Sequence, residues 1–142
     1  MSSEPVPSAS SDDVMALPVT RPILIVDDEP AILELLRDVL VEEGFRVVTA
    51  NNGVAALVLL QRTSVALILM DFMMPGLNGL QLAEQLRQNP HTADVPLLLM
   101  SAVPPPDVGA QFLAVIAKPF ALDQIVRLVH QCYPGERSTK LD

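Results

Sequence analysis

Five apolar runs of strand length alternate along the middle of this chain with segments of helical periodicity. The runs occupy residues 23–27, 45–50, 66–71, 95–101 and 114–118. Three of them are almost wholly apolar, as is typical of strands that are covered on both faces. The alternation therefore predicts an α/β fold, in which right-handed crossovers build a doubly wound, five-stranded parallel sheet with helices on both faces.

The helical segments have recognisable ends. Pro30 can open the first helix, because its missing N–H costs nothing there, and Gly44 suits the position just after that helix. Either Asn51 or Asn52 can cap the second. This second helix covers residues 53–62, and two further helices are predicted over 79–88 and 121–133.

The two ends of the chain differ in composition from its middle. Residues 1–20 hold five serines, three prolines and three acids with no basic residue, so they bury too little to offset their ordering entropy. We therefore expect a disordered N-terminal arm over 1–20, one folded domain over 21–133 and a short tail over 134–142.

Charge and apolar content exclude several classes of protein. The net charge of -8 argues against binding to nucleic acid, whose phosphates would repel such a surface. No apolar run is long enough to span a membrane, and the N-terminus lacks the pattern of a secretory signal. The single Cys132 cannot form an internal disulfide or supply a cysteine-based zinc site. We expect a cytoplasmic protein that does not bind membranes.

Polar residues follow four of the five predicted strands. The first strand ends in Asp27-Asp28-Glu29, the third in Asp71, the fourth in Ser101 and the fifth in Lys118. In a parallel sheet these ends meet at one rim, where such folds carry their sites. Each residue alone also has an ordinary structural explanation, since an acidic group before a helix compensates the helix dipole and a lone Asp often caps a turn.

Lys118 is the most informative of these residues. It is one of only two lysines, and it lies within the apolar sequence AVIAKPF, where a charge is costly without a partner. The carboxylates of the same rim are the obvious partners. A compact ammonium also suits a point contact with a phosphoryl oxygen.

Taken together, these segments carry a family resemblance. The sequence resembles the response regulator receiver domain, the CheY-like module of two-component signalling, over residues 22–131. The matching pieces, in the family's order and roughly its spacing, are ILIVDDEP, LILMDFMMPGLNGL, LLLMSA and AKPF. The resemblance implies a flavodoxin-like sheet with strand order 2-1-3-4-5. In such sheets, ligands bind at the carboxyl ends of the strands.

The resemblance also implies a role for each residue of the rim. Asp71 would be the phosphoacceptor, and Asp27, Asp28 and the backbone carbonyl of Met73 would complete with it a site for Mg²⁺ or Mn²⁺. Asp28 would bind the ion directly and Asp27 through water. Ser101 would hydrogen-bond the phosphoryl group, and Lys118, followed by a cis peptide bond to Pro119, would pair with Asp71 and then with the phosphoryl oxygens.

These roles suit the residue types. Three carboxylates at one rim repel one another unless a cation neutralises them, and Mg²⁺ prefers oxygen ligands. An attacking carboxylate then needs little beyond positioning and charge neutralisation.

The sequence departs from the family pattern on the side of Ser101. Val115 stands where the family usually has an aromatic residue that reports phosphorylation. The stretch from Ser101 to Lys118 is also short by about five residues and contains three consecutive prolines, which cannot form a helix interior. We therefore expect a fourth helix that is shortened to about 107–113 or absent. We also expect no output domain after the fifth helix.

The predicted function is that of a single-domain response regulator. We expect Mg²⁺-dependent self-phosphorylation and slow self-dephosphorylation, but no enzymatic turnover of a separate substrate. The protein would accept phosphate from a sensor histidine kinase or a histidine phosphotransfer protein, and act on an unknown downstream protein or pass the phosphate onward. We expect it to remain a monomer. One alternative is a receiver-fold docking module that is not phosphorylated. Another is a Mg²⁺-dependent phosphohydrolase, but those enzymes place two aspartates two residues apart after the first strand, whereas Asp27 and Asp28 are adjacent.

Overall fold

A five-stranded parallel sheet organises the computed structural model, which describes residues 20–103 and 111–134. The strands are β1 (Ile23–Val26), β2 (Val47–Ala50), β3 (Leu67–Asp71), β4 (Leu97–Ser101) and β5 (Ala114–Ala117). They are ordered β2-β1-β3-β4-β5, and every neighbouring pair is parallel. The predicted fold class and strand order are confirmed.

Four helices in the described residues cover the two faces of this sheet. They are α1 (Pro30–Glu42), α2 (Gly53–Leu60), α3 (Gly79–Gln88) and α4 (Leu122–Cys132). Buried residues of α1 and α4 belong to one apolar cluster, and those of α2 and α3 belong to the cluster on the opposite face. β1, β3 and β4 are buried along their whole length between these layers.

Local chemistry explains where the elements begin and end. Pro30 lies in the first turn of α1, and Gly44, just beyond that helix, has a φ of 101°, which favours glycine. The N–H of Phe45 donates to the carbonyl of Leu40, so this residue closes the helix and β2 begins later than residue 45. Asn52 rather than Asn51 caps α2, because its side chain accepts from the N–H of Ala55 at 2.7 Å.

Three predictions fall mostly or wholly outside the described residues. These are the N-terminal arm, of which only Thr20 is described, the C-terminal tail from residue 135 onward, and the shortened helix near 107–113, whose residues up to 110 are not described. None of the described helices combines the length and apolarity needed to cross a bilayer.

The foot of the sheet, opposite to the carboxyl ends of its strands, is closed by aromatic contacts. The buried Tyr133 donates its hydroxyl to the carbonyl of Arg21 at 2.6 Å, and its ring centroid lies 5.2 Å from that of Phe45. Arg46 donates to the carbonyl of Thr20 at 2.7 Å. These contacts tie the chain before β1 to the segment that enters β2.

Candidate functional site

Four strands of the sheet deliver polar side chains to its carboxyl rim. Asp27 directly follows β1, Asp71 ends β3, Ser101 ends β4 and Lys118 directly follows β5. The strand register places Met100 opposite Asp71, and Ala117 opposite Ser101. The side chains that the sequence predicted at one rim are therefore brought together there.

Three carboxylates form the centre of the site. One oxygen each from Asp27, Asp28 and Asp71 lies within 4.8 Å of the others. Asp27 is fully buried and Asp71 nearly so, whereas Asp28 is exposed. The cluster is therefore a concentration of negative charge that opens to solvent on one side.

Lys118 ties two of these carboxylates together. Its Nζ lies 3.0 Å from Oδ2 of Asp27 and 3.1 Å from Oδ1 of Asp71, and its side chain is only 16% exposed. The predicted pairing of Lys118 with Asp71 is present, and the equally short contact with Asp27 is additional. The Lys118–Pro119 peptide bond is cis, as the resemblance implied.

Glu29 is a neighbour of the site that the sequence argument did not assign to it. Its Oε1 lies 3.6 Å from Nζ of Lys118, and its backbone N–H donates to Oδ1 of Asp27 at 2.9 Å. The acidic triplet after β1 was the only signal for it in the sequence. Because its side chain is 63% exposed, Glu29 is a peripheral partner of Lys118.

Burial and charge shift two pKa values within this cluster. Burial, followed by the repulsion from Asp27, raises the pKa of Asp71 above its ordinary value, although Lys118 opposes the rise. Burial alone would lower the pKa of Lys118, but its hydrogen bonds to Asp27 and Asp71 outweigh that effect and raise it. Lys118 is therefore a firmly charged ammonium beside a carboxylate whose ionised form is disfavoured.

Ser101 is buried at the rim but is held by its own loop. Its backbone carbonyl accepts the N–H of Lys118 at 2.9 Å, and its hydroxyl donates to the carbonyl of Val103. The side chain of Val103 is 66% exposed. The hydroxyl thus has a local partner, two residues away along the chain.

A glycine holds the loop after Asp71 close to the end of β3. The N–H of Gly79 donates to the carbonyl of Phe72 at 2.8 Å, and a Cβ at residue 79 would lie 2.7 Å from the carbonyl oxygen of Asp71. Such a contact is too short for any side chain, so the position requires glycine. The loop begins with Phe72, and the side chain of Met73, the next residue, is 63% exposed.

The donor set at this rim fits a hard divalent cation. The three clustered carboxylates offer only oxygen atoms, and Mg²⁺ and Mn²⁺ prefer such ligands. Asp28 is open to solvent, so a cation bound there could retain water molecules. The site is therefore compatible with divalent metal binding.

Comparisons with known proteins agree on one family. A family model described as the response regulator receiver domain matches residues 23–130. The phosphate regulon transcriptional regulatory protein PhoB of Pseudomonas aeruginosa is 34% identical over 133 residues, which cover 87% of this chain and 58% of that protein. The chain spans about half the length of the curated relatives it matches.

Solved structures show the same fold. The chemotaxis protein CheY4 of Vibrio cholerae aligns with a TM-score of 0.74 at 23% identity, over 80% of this chain and 99% of that chain. The response regulator TrrA of Thermotoga maritima, solved in complex with Mg²⁺ and BeF, aligns with a TM-score of 0.72 at 32% identity, over the same two shares.

Proposed function

Because this chain belongs to the response regulator receiver family, we propose that it accepts a phosphoryl group on Asp71. The donor would be a phosphohistidine of a sensor histidine kinase or of a histidine phosphotransfer protein. The phosphorylated form would signal by protein–protein contact or pass the phosphate onward. The chain would thus catalyse its own phosphorylation and slow dephosphorylation, without turnover of a separate substrate.

One observation carries this proposal. Asp71 is nearly buried, yet it lies at the open rim between two acidic neighbours and an ammonium 3.1 Å from its Oδ1. A carboxylate that served only as a cap would not need a buried lysine, and a structural ion pair would not need three clustered carboxylates. The arrangement suits a nucleophile that must meet an anionic donor.

The transfer itself needs few parts. An oxygen of Asp71 forms a new bond to phosphorus while the P–N bond of the phosphohistidine breaks. The bonding pair goes to the imidazole nitrogen, which then takes up a proton. Lys118 would hold a phosphoryl oxygen, and the close approach of Gly79 to the carbonyl oxygen of Asp71 would keep that backbone in place.

Asp27, Asp28 and Asp71, with the backbone carbonyl of Met73, would hold the Mg²⁺ or Mn²⁺ that the family implies. When bound, the ion would neutralise the carboxylates and the incoming phosphoryl oxygens. The complex of the 32% identical TrrA with Mg²⁺ and BeF supports this choice of ion.

Ser101 would convert phosphorylation into a change of shape. Its hydroxyl is bonded to the carbonyl of Val103, and a phosphoryl oxygen on Asp71 would offer a charged and therefore stronger acceptor. An exchange of partners would release Val103 and bias the chain that follows it. Val115, 43% exposed on β5, cannot supply the rotating ring that the family usually places there.

A docking module that is not phosphorylated is the second candidate, and Val115 is the observation that favours it. Incubation with acetyl phosphate and Mg²⁺, followed by intact-mass measurement, separates the candidates. We expect a stable gain of one phosphoryl group, which Asp71→Asn abolishes and Asp38→Asn, a change on the exposed face of α1, leaves intact. An unreactive wild type would indicate the docking module, and turnover to free phosphate would indicate a phosphohydrolase.

A further inference from the structure

α2 differs from α3 in the chemistry of its outer surface, although both helices cover the same face of the sheet. The outer positions of α3 are Gln81, Glu84, Gln85 and Gln88, all exposed and polar. α2 has the sequence GVAALVLL, and its Val54 and Val58 are 62% and 47% exposed. A helix that is apolar on every side is normally buried. Part of the apolar surface of α2 is therefore exposed to solvent where burial is expected.

The uncovered side of α2 borders a groove of about 750 Å³ along the outer edge of β2. α2 contributes Ala55, Val58 and Leu59 to one wall, and Leu33 of α1 forms part of the other. α1 and α2 lie on opposite faces of the sheet, so the groove is the open edge of the sheet itself. Apolar side chains of both helices line it, together with the polar Asn51, Arg62 and Thr63.

The floor of this groove offers backbone hydrogen-bonding groups. β2 pairs only with β1 among the described strands. The carbonyls of Arg46 and Ala50 accept from the N–H groups of Ile23 and Asp27, so the alternation of a parallel ladder directs the backbone groups of Val47 and Thr49 outward. An open edge of this kind is a template for one more strand.

The described part of the chain begins beside this edge. Thr20 is held at the foot of β2 by the side chain of Arg46, at 2.7 Å. Nineteen residues precede Thr20, and residues 14–17 among them read Val-Met-Ala-Leu. This apolar stretch is followed by Pro18, which favours an extended conformation at Leu17 and itself lacks a ladder donor.

We propose that residues 14–17 occupy this groove as a sixth strand, antiparallel to β2. The direction follows from the connection, because the segment must end at the foot of the sheet where β1 begins upward. Four extended residues span about 13 Å, the length of the four residues of β2. The three residues 18–20 reach about 10 Å, which equals about two strand spacings from β1 to the new position.

This proposal departs from the expectation of a disordered arm over 1–20 at residues 14–17. The strand would cover Val58 and Leu59 with apolar side chains and satisfy the outward groups of Val47 and Thr49. The proposal is independent of the phosphoryl chemistry, because neither Asp71 nor Lys118 takes part in it.

Amide hydrogen exchange in the full chain tests the docking. We expect Met15→Asp/Leu17→Asp to speed exchange at Val47 and Thr49 by about tenfold or more, because their N–H groups lose their partners. Val6→Asp/Ala9→Asp adds the same charge to the same arm and should leave both rates unchanged. None of the substituted residues belongs to the two apolar clusters that cover the faces of the sheet, so the substitutions spare that core.

A second pair of variants tests the groove from the other side. Val58→Asp should speed exchange at Thr49, whereas Val54→Asp, on the same helix but outside the groove, should not. Equal exchange at Val47 and Thr49 in the wild type and the Met15→Asp/Leu17→Asp variant overturns the proposal. Protection that falls on dilution also overturns it, since it would identify a second copy as the occupant.

Discussion

The two sides of the rim around Asp71 are held by different kinds of contact. On one side, Lys118 reaches Asp27 and Asp71 across the sheet, and its bond to Asp27 joins residues 91 positions apart. On the other side, the hydroxyl of Ser101 bonds to Val103, two positions away, and the side chains of Val103 and Val115 are exposed. Long-range contacts hold the groups that are proposed to react, whereas a local contact holds the group that would respond.

Under the proposed function, this difference predicts that accepting a phosphoryl group and responding to it are separable steps. A local hydrogen bond can change its acceptor without disturbing the sheet. Loss of the Lys118 contacts would cost more stability, because Asp27 is fully buried and would lack its ionic partner. The predictions below test this division, beginning with the largest expected effect.

The sharpest test compares one substitution on each side of the rim. Lys118→Ala should slow phosphorylation of Asp71 by about 10²-fold, because it removes a positioned charge from the phosphoryl oxygens. Ser101→Ala should slow it far less, since the hydroxyl would act mainly after transfer. Intact-mass time courses with acetyl phosphate measure both rates. Equal losses in the two variants would contradict the division.

Mg²⁺ should stabilise the folded protein strongly by binding at Asp27, Asp28 and Asp71. At 100 times its dissociation constant it should raise the free energy of unfolding by about 2.7 kcal/mol, because only the folded chain clusters the three carboxylates. Urea titrations with Mg²⁺ and with EDTA measure this difference. Asp28→Asn should remove much of it, and Asp94→Asn, an exposed acid outside the cluster, should not. Identical curves with Mg²⁺ and EDTA would show that the carboxylates do not act as one site.

Without metal, Asp71 should weaken the fold near neutral pH. Its pKa is raised by burial and by Asp27, so the stability it contributes is present below its unfolded pKa and is lost as the pH rises through the folded value. At pH 7 in EDTA, Asp71→Asn should therefore raise the urea midpoint, by less than Mg²⁺ does in the wild type. A lower midpoint would mean that the pairing with Lys118 outweighs burial and repulsion.

The exposed apolar residues of the rim should prolong the phosphorylated state. Hydrolysis needs a water in line with phosphorus, and neither Met73 nor Val103 can orient one. Met73→Asn should shorten the lifetime roughly 2–10-fold, by supplying a polar group that can. Decay of the phosphorylated mass measures it, with Val41→Asn as a control at an exposed apolar site on α1. An unchanged lifetime would remove Met73 from the explanation.

The smallest expected effect is on mass in solution. Beryllofluoride should leave the protein a monomer, because a symmetric interface needs about 800 Å² per partner. From the sequence, the three prolines after Val103 predict too short a helix to supply part of such an interface. Light scattering with and without beryllofluoride measures the change. A doubled mass would contradict this prediction.

The sequence predicts which residues lie at the site because the ends of buried strands can be located from the ends of apolar runs. An apolar run that stops at Asp27, Asp71 or Lys118 fixes the residue at the rim, and the parallel topology brings the rim residues together. Boundaries are less exact where a neighbour intervenes. β4 begins at Leu97 rather than 95, because Pro96 has no N–H and the N–H of Val95 turns back to Thr92.

The contacts between side chains are beyond sequence reasoning of this kind. The order of residues in the sequence does not predict that Lys118 contacts Asp27 as closely as Asp71. Those distances depend on where β1, β3 and β5 end relative to one another along the sheet. The role of Arg87 is hidden for the same reason. Its guanidinium donates to the carbonyls of Ala93, Val95 and Gln111, and so ties α3 to the segments that flank β4 and β5.

The aromatic contact at the foot of the sheet determines what optical spectroscopy can report. Tyr133 is the only tyrosine, and the chain has no tryptophan. Its ring is buried against Phe45 at the end of the sheet opposite to Asp71. Intrinsic fluorescence will therefore follow global unfolding but remain silent to ion or phosphoryl binding at the rim. A tryptophan in place of Phe72, next to Asp71, would give that end of the molecule its own signal.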